Sequence, residues 1–302
     1  MEANTPTGLP PTSLVICSRN RPKLLLDMVE SVLQGEEVPT ELIIVDQSDA
    51  PDPTLPTLQH DRACEIRYLP TRSVGLSRAR NVGIAAARHD ILVFTDDDLL
   101  ASCTWFASVI RALVDAGTHA VVTGRVLATR PEAPGGFVLA LAVNEISAVY
   151  TGRIGTDVLA GCQMAMYRST IEEVGTFDER LGAGSLFPAA EDNDFGFRVL
   201  EAGYDIVYAP EAVLRHRAWR SGRDYLPMRW KYGRGKGGFY TKYLSLRDRY
   251  MLRRMAWDIG HRILGFPLRL WRQPRLAYGD PAYIAGILVG AAQWLLTQRR
   301  TP

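Results

Sequence analysis

Short apolar runs alternate along this chain with stretches whose apolar residues recur at helical spacing. Leu14 to Cys17, Leu42 to Val45, Ile66 to Leu69 and Ile91 to Phe94 are each too short for a helix and read as strands. After the first of them, Leu25, Met28, Val29, Val32 and Leu33 repeat with the period of an amphipathic helix, and a second helical stretch runs over residues 77–87. A further strand is predicted over Ala120 to Val126. This alternation predicts an α/β fold with a doubly wound, mainly parallel sheet covered on both faces. Residues 130–160 are rich in Gly and Pro and weakly periodic, the pattern of a mobile or substrate-shaping region. No internal repeat is visible.

In a sheet of that kind ligands bind beyond the carboxyl ends of the strands. Arg19, Asp46 and the triplet Asp96, Asp97, Asp98 all fall at such ends. Hard carboxylate oxygens at the end of a rigid strand suit Mg²⁺ or Mn²⁺, which in turn hold substrate phosphates. An acidic turn capping the next helix is the plainer alternative. The first strand-to-helix turn, Ser18-Arg19-Asn20-Arg21-Pro22, lacks a G-x-G-x-x-G, which argues against a dinucleotide site and hydride transfer. It also lacks the Gly-rich phosphate loop expected of a sugar-phosphate nucleotidylyltransferase.

At 302 residues and 47% apolar composition the chain can bury a sizeable core. Cys17, Cys64, Cys103 and Cys162 form no CxxC pair, so neither a zinc module nor a disulfide framework is indicated, and a reducing cytosol fits. Residues 1–11 are polar and proline-rich, a flexible tail rather than a signal peptide. The net charge of +2 conceals an asymmetry: residues 215–302 hold 19 Lys and Arg and 4 Asp and Glu, a formal +15, against 16 and 29, or −13, for the rest. Such a basic part calls for a polyanionic partner or is a solubilising face.

Several ordered motifs carry a resemblance: Arg78-Ala79-Arg80-Asn81-Val82-Gly83 after Gly75, Phe94-Thr95-Asp96-Asp97-Asp98, Gly161 to Arg168, Val174 to Glu179, Glu191-Asp192-Asn193-Asp194 to Arg198, and Tyr208-Ala209-Pro210 to His216. Over residues 12–218 the chain resembles glycosyltransferase family 2, the inverting GT-A enzymes. The resemblance implies a nucleoside-diphosphate-sugar donor (UDP-, dTDP- or GDP-linked) and a Mn²⁺ or Mg²⁺ ion held by Asp96 and Asp98, Asp98 being the more direct ligand and Asp96 nearer the ribose or a metal-bound water. The triplet leaves that division open, and Asp97 counts with the donor site. His216 matches the family's late histidine, a metal or diphosphate ligand. Asp46, with Asp49 equally placed, resembles the carboxylate that accepts a hydrogen bond from the base. Arg19, Arg72, Arg78 and Arg80 are candidates for base or diphosphate, although Arg78 and Arg80, two apart on a helix, point different ways.

Glu191 and Asp192 open a helix at the ligand edge, where acids are also favoured by the helix dipole. An inverting displacement needs a base for the acceptor hydroxyl. The resemblance assigns that role to Asp192, with Glu191 as positioning partner, and makes Gly161, Cys162 and Gln163 the acceptor wall.

Residues 219–302 lie outside the resemblance. Trp230 to Tyr240 interleaves glycines, cations and aromatics, as a mobile loop over diphosphate or a lipid-linked acceptor would. Met251 to Trp271 is a basic amphipathic segment with interfacial Trp. Pro281 to Leu296 is apolar but, at 16 residues, short of the roughly 20 needed to span a bilayer, so it lies in the interface, re-enters, or packs on the body. Arg299 and Arg300 would suit anionic headgroups. The expectation is a glycosyltransferase acting on a glycan or lipid-linked acceptor, peripheral at the cytoplasmic face of an anionic membrane, with no nucleic-acid partner. The rival is an inactive membrane-associated sugar-binding scaffold on the same fold.

Overall fold

Four parallel strands form one half of a central sheet. In the computed structural model, which describes residues 8–298 except 53, 54, 56, 57, 59 and 246, these are β1 (Thr12–Ser18), β2 (Glu41–Asp46), β3 (Glu65–Pro70) and β4 (Ile91–Asp96), in the order β3-β2-β1-β4. β1 and β2 are buried along their whole length, which is why they read as continuous apolar runs. Register places Ser18 beside Asp46 and Cys17 beside Asp96, so the polar residues that end these strands share one edge.

The other half is mixed. β5 (Leu99–Ala101), β6 (Ala120–Pro131), β7 (Ala148–Tyr150), β8 (Gln163–Tyr167) and β9 (Asp205–Ala218) complete the sheet. β8 pairs antiparallel with β4 and with β6, β6 runs parallel to β9, and β5 and β7 pair antiparallel with β9. Residues 130–160 thus hold little regular structure beyond the end of β6 and the short β7.

Helices cover both faces. On one side α1 (Pro22–Leu33) and α3 (Trp105–Ala116) bury Leu25, Met28, Val29 and Trp105 against Leu14, Ile16 and Ile44. Pro22 suits the first turn of α1, where an N–H would lack a partner and φ is preset. On the other side lie α2 (Leu76–Ala86), α4 (Arg168–Val174) and α5 (Glu191–Glu201), packed around Phe94, Phe177 and Phe195. α2 lies so close to the sheet that a Cβ on Gly83 would stand 2.4 Å from Val15 Cγ1.

The C-terminal region is helical: α6 (Tyr225–Lys242), α7 (Tyr250–Arg272), α8 (Pro274–Ala277) and α9 (Gly279–Gln298). Trp230 to Tyr240, expected as a mobile loop, is instead helix, because its glycines serve close packing rather than flexibility. A Cβ on Gly233 would lie 2.1 Å from the Tyr283 carbonyl oxygen and one on Gly237 2.1 Å from that of Ile287; Gly286 and Gly290 of α9 stand 2.5 and 2.2 Å from the Trp230 and Arg234 carbonyls in the same sense. Both helices carry glycines four residues apart, so backbone meets backbone along the seam. α9 packs on the body, with Trp294 buried against Phe187 and beneath the Arg180 guanidinium. Among the described residues no helix is long and apolar enough to cross a membrane. Residues 1–7 of the expected tail, and Arg299 and Arg300, lie outside the described residues.

Gly237→Leu drives a side chain into backbone that cannot move aside. It should destabilise the protein by about 3 kcal/mol or more, measured as a lowered urea midpoint, whereas Gly260→Ala, with open space around it, should leave the midpoint unchanged or raise it.

Candidate active site

A cleft of about 540 Å³ opens where the ends of β1 and β4 face the start of α5, with α6, α7 and α9 forming a further wall. Arg19, Arg21, Asp96, Asp98, His216 and Arg220 line one side, and Gly161, Cys162, Glu191 and Asp192 another. Two residues at this edge adopt left-handed backbone without being glycine: Asn20 (φ 56°) and Ala190 (φ 70°), immediately before Glu191. Such conformations cost roughly 1–2 kcal/mol and persist where surrounding contacts hold them.

The three aspartates do three different things, because successive residues leaving β4 point to different sides. Asp96 Oδ1 accepts from Arg80 Nη2 at 3.0 Å. Asp97 turns inward, fully buried, accepting from Ser18 Oγ at 2.6 Å and paired with Arg21 at 2.6 Å. It does not line the cleft, and the donor-binding role expected of it is corrected to an internal strut. Burial, more than the neighbouring Asp98, holds its pKa above the usual carboxylate range despite Arg21.

Asp98 faces the cleft. Its Oδ2 gathers Arg21 at 3.1 Å, Trp219 Nε1 at 3.0 Å and Arg220 at 3.4 Å, and Oδ1 lies 3.7 Å from His216 Nε2. Burial opposes its charge, but His216, Arg21, Arg220 and the indole N–H together hold its pKa below the ordinary value. His216 Nδ1 lies 3.3 Å from the Arg217 carbonyl. Protonated, His216 is a counter-charge to Asp98; neutral with the proton on Nδ1, it would turn its Nε2 lone pair toward Asp98 Oδ1, which accepts no other hydrogen bond. Two lone pairs so placed suit a divalent cation between them, and a backbone carbonyl behind the imidazole is the usual orienting partner of a metal-binding histidine. Asp96 is not brought into that pair, being tied to Arg80. Among the described residues no three His, Cys, Asp or Glu side chains are grouped to hold a metal, so Asp98 and His216 fit Mg²⁺ or Mn²⁺ in the manner of sites that complete their shell with substrate phosphates and water.

On the opposite side, the Gly161 N–H donates to Asp192 Oδ2 at 3.3 Å and the Asn193 N–H to Oδ1 at 2.8 Å. A Cβ on Gly161 would lie 2.7 Å from Asp192 Cβ, so only glycine fits. Burial and the charge of Asp157 raise the Asp192 pKa, against Arg80 and the Asn193 N–H. Glu191 is raised likewise by burial and by Asp192 beside it, with Arg80 opposing. Arg80, 1% exposed, joins the two sides: it donates to Asp96, to Glu191 Oε1 at 3.3 Å and to the Gly161 carbonyl at 2.7 Å, over the Phe177 ring.

Other expectations are redirected. Gln163 is fully buried and donates to the Ala212 carbonyl at 2.9 Å inside the sheet; alternation along β8 turns it away from its neighbour Cys162, which does line the cleft. Arg78 is exposed and paired with Glu179 at 2.9 Å, and Arg72 is exposed outside the cleft lining. Asp46 stands at the end of β2 as expected, but its carboxylate is buried, accepting from Tyr68 Oη at 2.5 Å and the Ser48 N–H at 2.9 Å, while Gln47 lines the cleft. Asp49 is exposed beside Arg19 and Asn20. The Cys17 thiol, pushed up to about 12 chiefly by burial, and the Cys162 thiol, also raised well above its ordinary value by burial, are poor nucleophiles. Sequence reasoning passed over Arg21, Trp219 and Arg220 around Asp98, and Asp157 with Lys236 beside Asp192; the four ring and cation residues among these lie just outside the conspicuous acidic motifs, in the turns after β1 and β9 and in α6.

The sequence pattern of glycosyl transferase family 2 matches residues 13–175, more than half of the chain. The chain belongs to this family. It is 29% identical over 179 residues to a pre-mycofactocin glycosyltransferase of Mycobacterium tuberculosis, covering 56% of this chain and 36% of that protein. It is 25% identical over 219 residues to the O-antigen chain rhamnosyltransferase RfbN of Salmonella typhimurium, 68% of this chain and 65% of that one. The chain thus spans about a third and about two thirds of these relatives' lengths. In fold it is similar to a mannosyltransferase of Pyrobaculum calidifontis in complex with GDP-Man and Mn²⁺ (TM-score 0.61, 18% identity, 97% of this chain and 89% of that one) and to S. aureus TarS 1–349 in complex with UDP-GlcNAc (0.59, 18%, 92% and 82%). The architecture is therefore the GT-A type that the motifs implied.

Removing Arg80 leaves Asp96 and Glu191 without their buried counter-charge. Arg80→Met should cost about 3–5 kcal/mol of unfolding free energy, while Arg78→Gln, on the exposed side of the same helix, should cost about 1 kcal/mol or less; equal urea midpoints for the two variants would contradict this division.

Proposed function

We propose that this family member transfers a sugar, with inversion, from a nucleoside-diphosphate donor (UDP-, dTDP- or GDP-linked) to the hydroxyl of a glycan or lipid-linked acceptor. One observation carries the reading: a cation-ready pair, Asp98 and His216, and a base candidate, Asp192, face the same cleft and are held in mutual register through Arg80. Asp98 and His216 would hold Mn²⁺ or Mg²⁺, which as a Lewis acid neutralises charge developing on the departing diphosphate. Arg19, Arg21 and Arg220 supply planar donors for phosphate oxygens on the same side. Asp192, its basicity raised by burial and Asp157, takes the acceptor hydroxyl's proton as the oxygen attacks the anomeric carbon. Glu191, paired with Arg80, positions it. Gly161 and Cys162 form the acceptor wall, where the absent Cβ admits a sugar close to the backbone. Neither thiol takes part.

The second element is peripheral contact with an anionic membrane. α7 carries apolar residues on both faces: Met251, Met255 and Ile259 pack inward against α6 and α9. Arg254, Asp258 and Arg262 face inward into ion pairs, while Trp257 (68% exposed), Leu264 (84%), Leu268 and Trp271 (79%) make an apolar stripe on the outside. A stripe of that size with flanking Trp, on the part of the chain that carries the excess of cations, suits the interface of an anionic bilayer.

Two outcomes test this. In a thermal-shift panel of UDP-, dTDP- and GDP-sugars, one nucleotide class should stabilise the protein only with Mn²⁺ or Mg²⁺. Asp98→Asn should lose that shift, and Asp192→Asn should keep it while transfer falls by about 10²–10⁴-fold; no shift with any donor would favour the inactive scaffold. In vesicle co-sedimentation, binding to phosphatidylglycerol vesicles should exceed binding to phosphatidylcholine, and Trp257→Ser with Leu264→Ser and Trp271→Ser should release the protein at least tenfold; undiminished sedimentation of the triple variant would refute the interfacial role of α7.

A further inference from the structure

We propose that the wall formed by α6, α7 and α9 is a second anion subsite of the cleft, at which Arg229 and Arg262 bind a phosphoryl group of the acceptor. The transferase reading above says what molecule the anion belongs to; the existence of the subsite does not depend on it.

Arg229 and Arg262 both line the cleft and stack on the Tyr283 ring, 4.4 and 4.2 Å from its centroid. Their shared carboxylate is overcommitted. Asp280 Oδ1 is 3.5 Å from Arg229 and 3.2 Å from Arg262, and Oδ2 is 2.7 Å from Arg269. Asp258 gives Arg262 a second partner at 3.1 Å. Deeper in the wall, Asp157 is divided between Lys236 and Arg254. Five cations thus stand against three carboxylates in this wall, and three of the cations, Arg229, Lys236 and Arg262, line the cleft.

Arg229 is where the deficit falls. Burial, and then the like charge of Arg262, lower its pKa, and its Nε is buried without a hydrogen-bond partner among the described residues. An arginine in that state is stabilised by an anion, and its planar fork matches phosphate oxygens. The subsite lies on a different wall from Arg21 and Arg220, which stand against Asp98. Asp192 lies between the two: Arg80 ties its neighbour Glu191 to Asp96, and Asp157, whose charge acts on Asp192, is paired with Lys236 of the wall. An acceptor held by its phosphate at Arg229 and Arg262 therefore has its sugar on the side of the base.

The test titrates farnesyl diphosphate, farnesol and inorganic pyrophosphate into the full chain by calorimetry, and repeats farnesyl diphosphate in the presence of whichever nucleotide sugar the thermal-shift panel selects. Farnesyl diphosphate should bind with and without the nucleotide sugar, should bind at least tenfold more tightly than farnesol, and should lose at least tenfold in affinity in Arg229→Gln and in Arg262→Gln, but not in Arg220→Gln. Pyrophosphate binding as tightly as farnesyl diphosphate would support the subsite with free phosphate as its ligand; weaker pyrophosphate binding would support it with a lipid headgroup. Competition with the nucleotide sugar, farnesol binding equal to the diphosphate, or unchanged affinity in both Gln variants would overturn the proposal. If the Gln variants fail to fold, Arg229→Lys and Arg262→Lys keep the charge, and the competition experiment on the unaltered chain decides by itself. If no nucleotide sugar binds, the transferase reading fails while the farnesyl diphosphate titration still reports on the subsite.

Discussion

The arrangement of the cleft depends on one buried guanidinium. Arg80 enters from α2, reaches the end of β4 through Asp96, the start of α5 through Glu191, and the segment before β8 through the Gly161 carbonyl. These three pieces come from positions far apart in sequence and, apart from the β4–β8 pairing, share no ladder at this edge. A desolvated arginine is tolerable only if every partner is in place, and so each partner is held where it is by the cost of leaving the others. The requirement reaches outward to Phe177, whose ring lies under the guanidinium, and through Phe177 to Phe94 and Phe195 in the core. Core packing and site geometry are here one constraint.

Much of the sheet was legible because its strands are buried on both faces and therefore leave uninterrupted apolar runs. Leu14 to Cys17 and Leu42 to Val45 needed no context to be read. β5 and β7, three residues each, are held by pairing with β9 rather than by any local pattern. At the site, the residue types were legible and their directions were not. Asp96, Asp97 and Asp98 look equivalent in sequence, and only the exit angle of β4 sends one to Arg80, one into the interior and one to the cleft. Gln163 was misread for the same reason of alternation. The glycines of α6 suggested looseness because their partners, Gly286 and Gly290, lie some fifty residues on; the four-residue spacing in both segments was the available signal.

The cleft is a composite. The side that holds Asp98 is built by the α/β domain and the turn after β9, whereas the side beyond Asp192 is supplied by helices that lie outside the matched family region. The acidic body furnishes Asp96, Asp98, Glu191 and Asp192 together with Arg19 and Arg21, and the basic C-terminal part furnishes Arg220, Arg229, Lys236 and Arg262. The carboxylates of the cavity thus come from the acidic body and most of its cations from the basic C-terminal part, with Asp192 between them.

The seam between α6 and α9 has a mechanical consequence. Contact through Gly233, Gly237, Gly286 and Gly290 is made by backbone, which has no rotamers to exchange, so the two helices respond to a load as one stiff plank. Any widening of the cleft mouth to admit a bulky molecule must then be taken up outside that plank, in the short segment 219–224 that leads into α6, rather than within it.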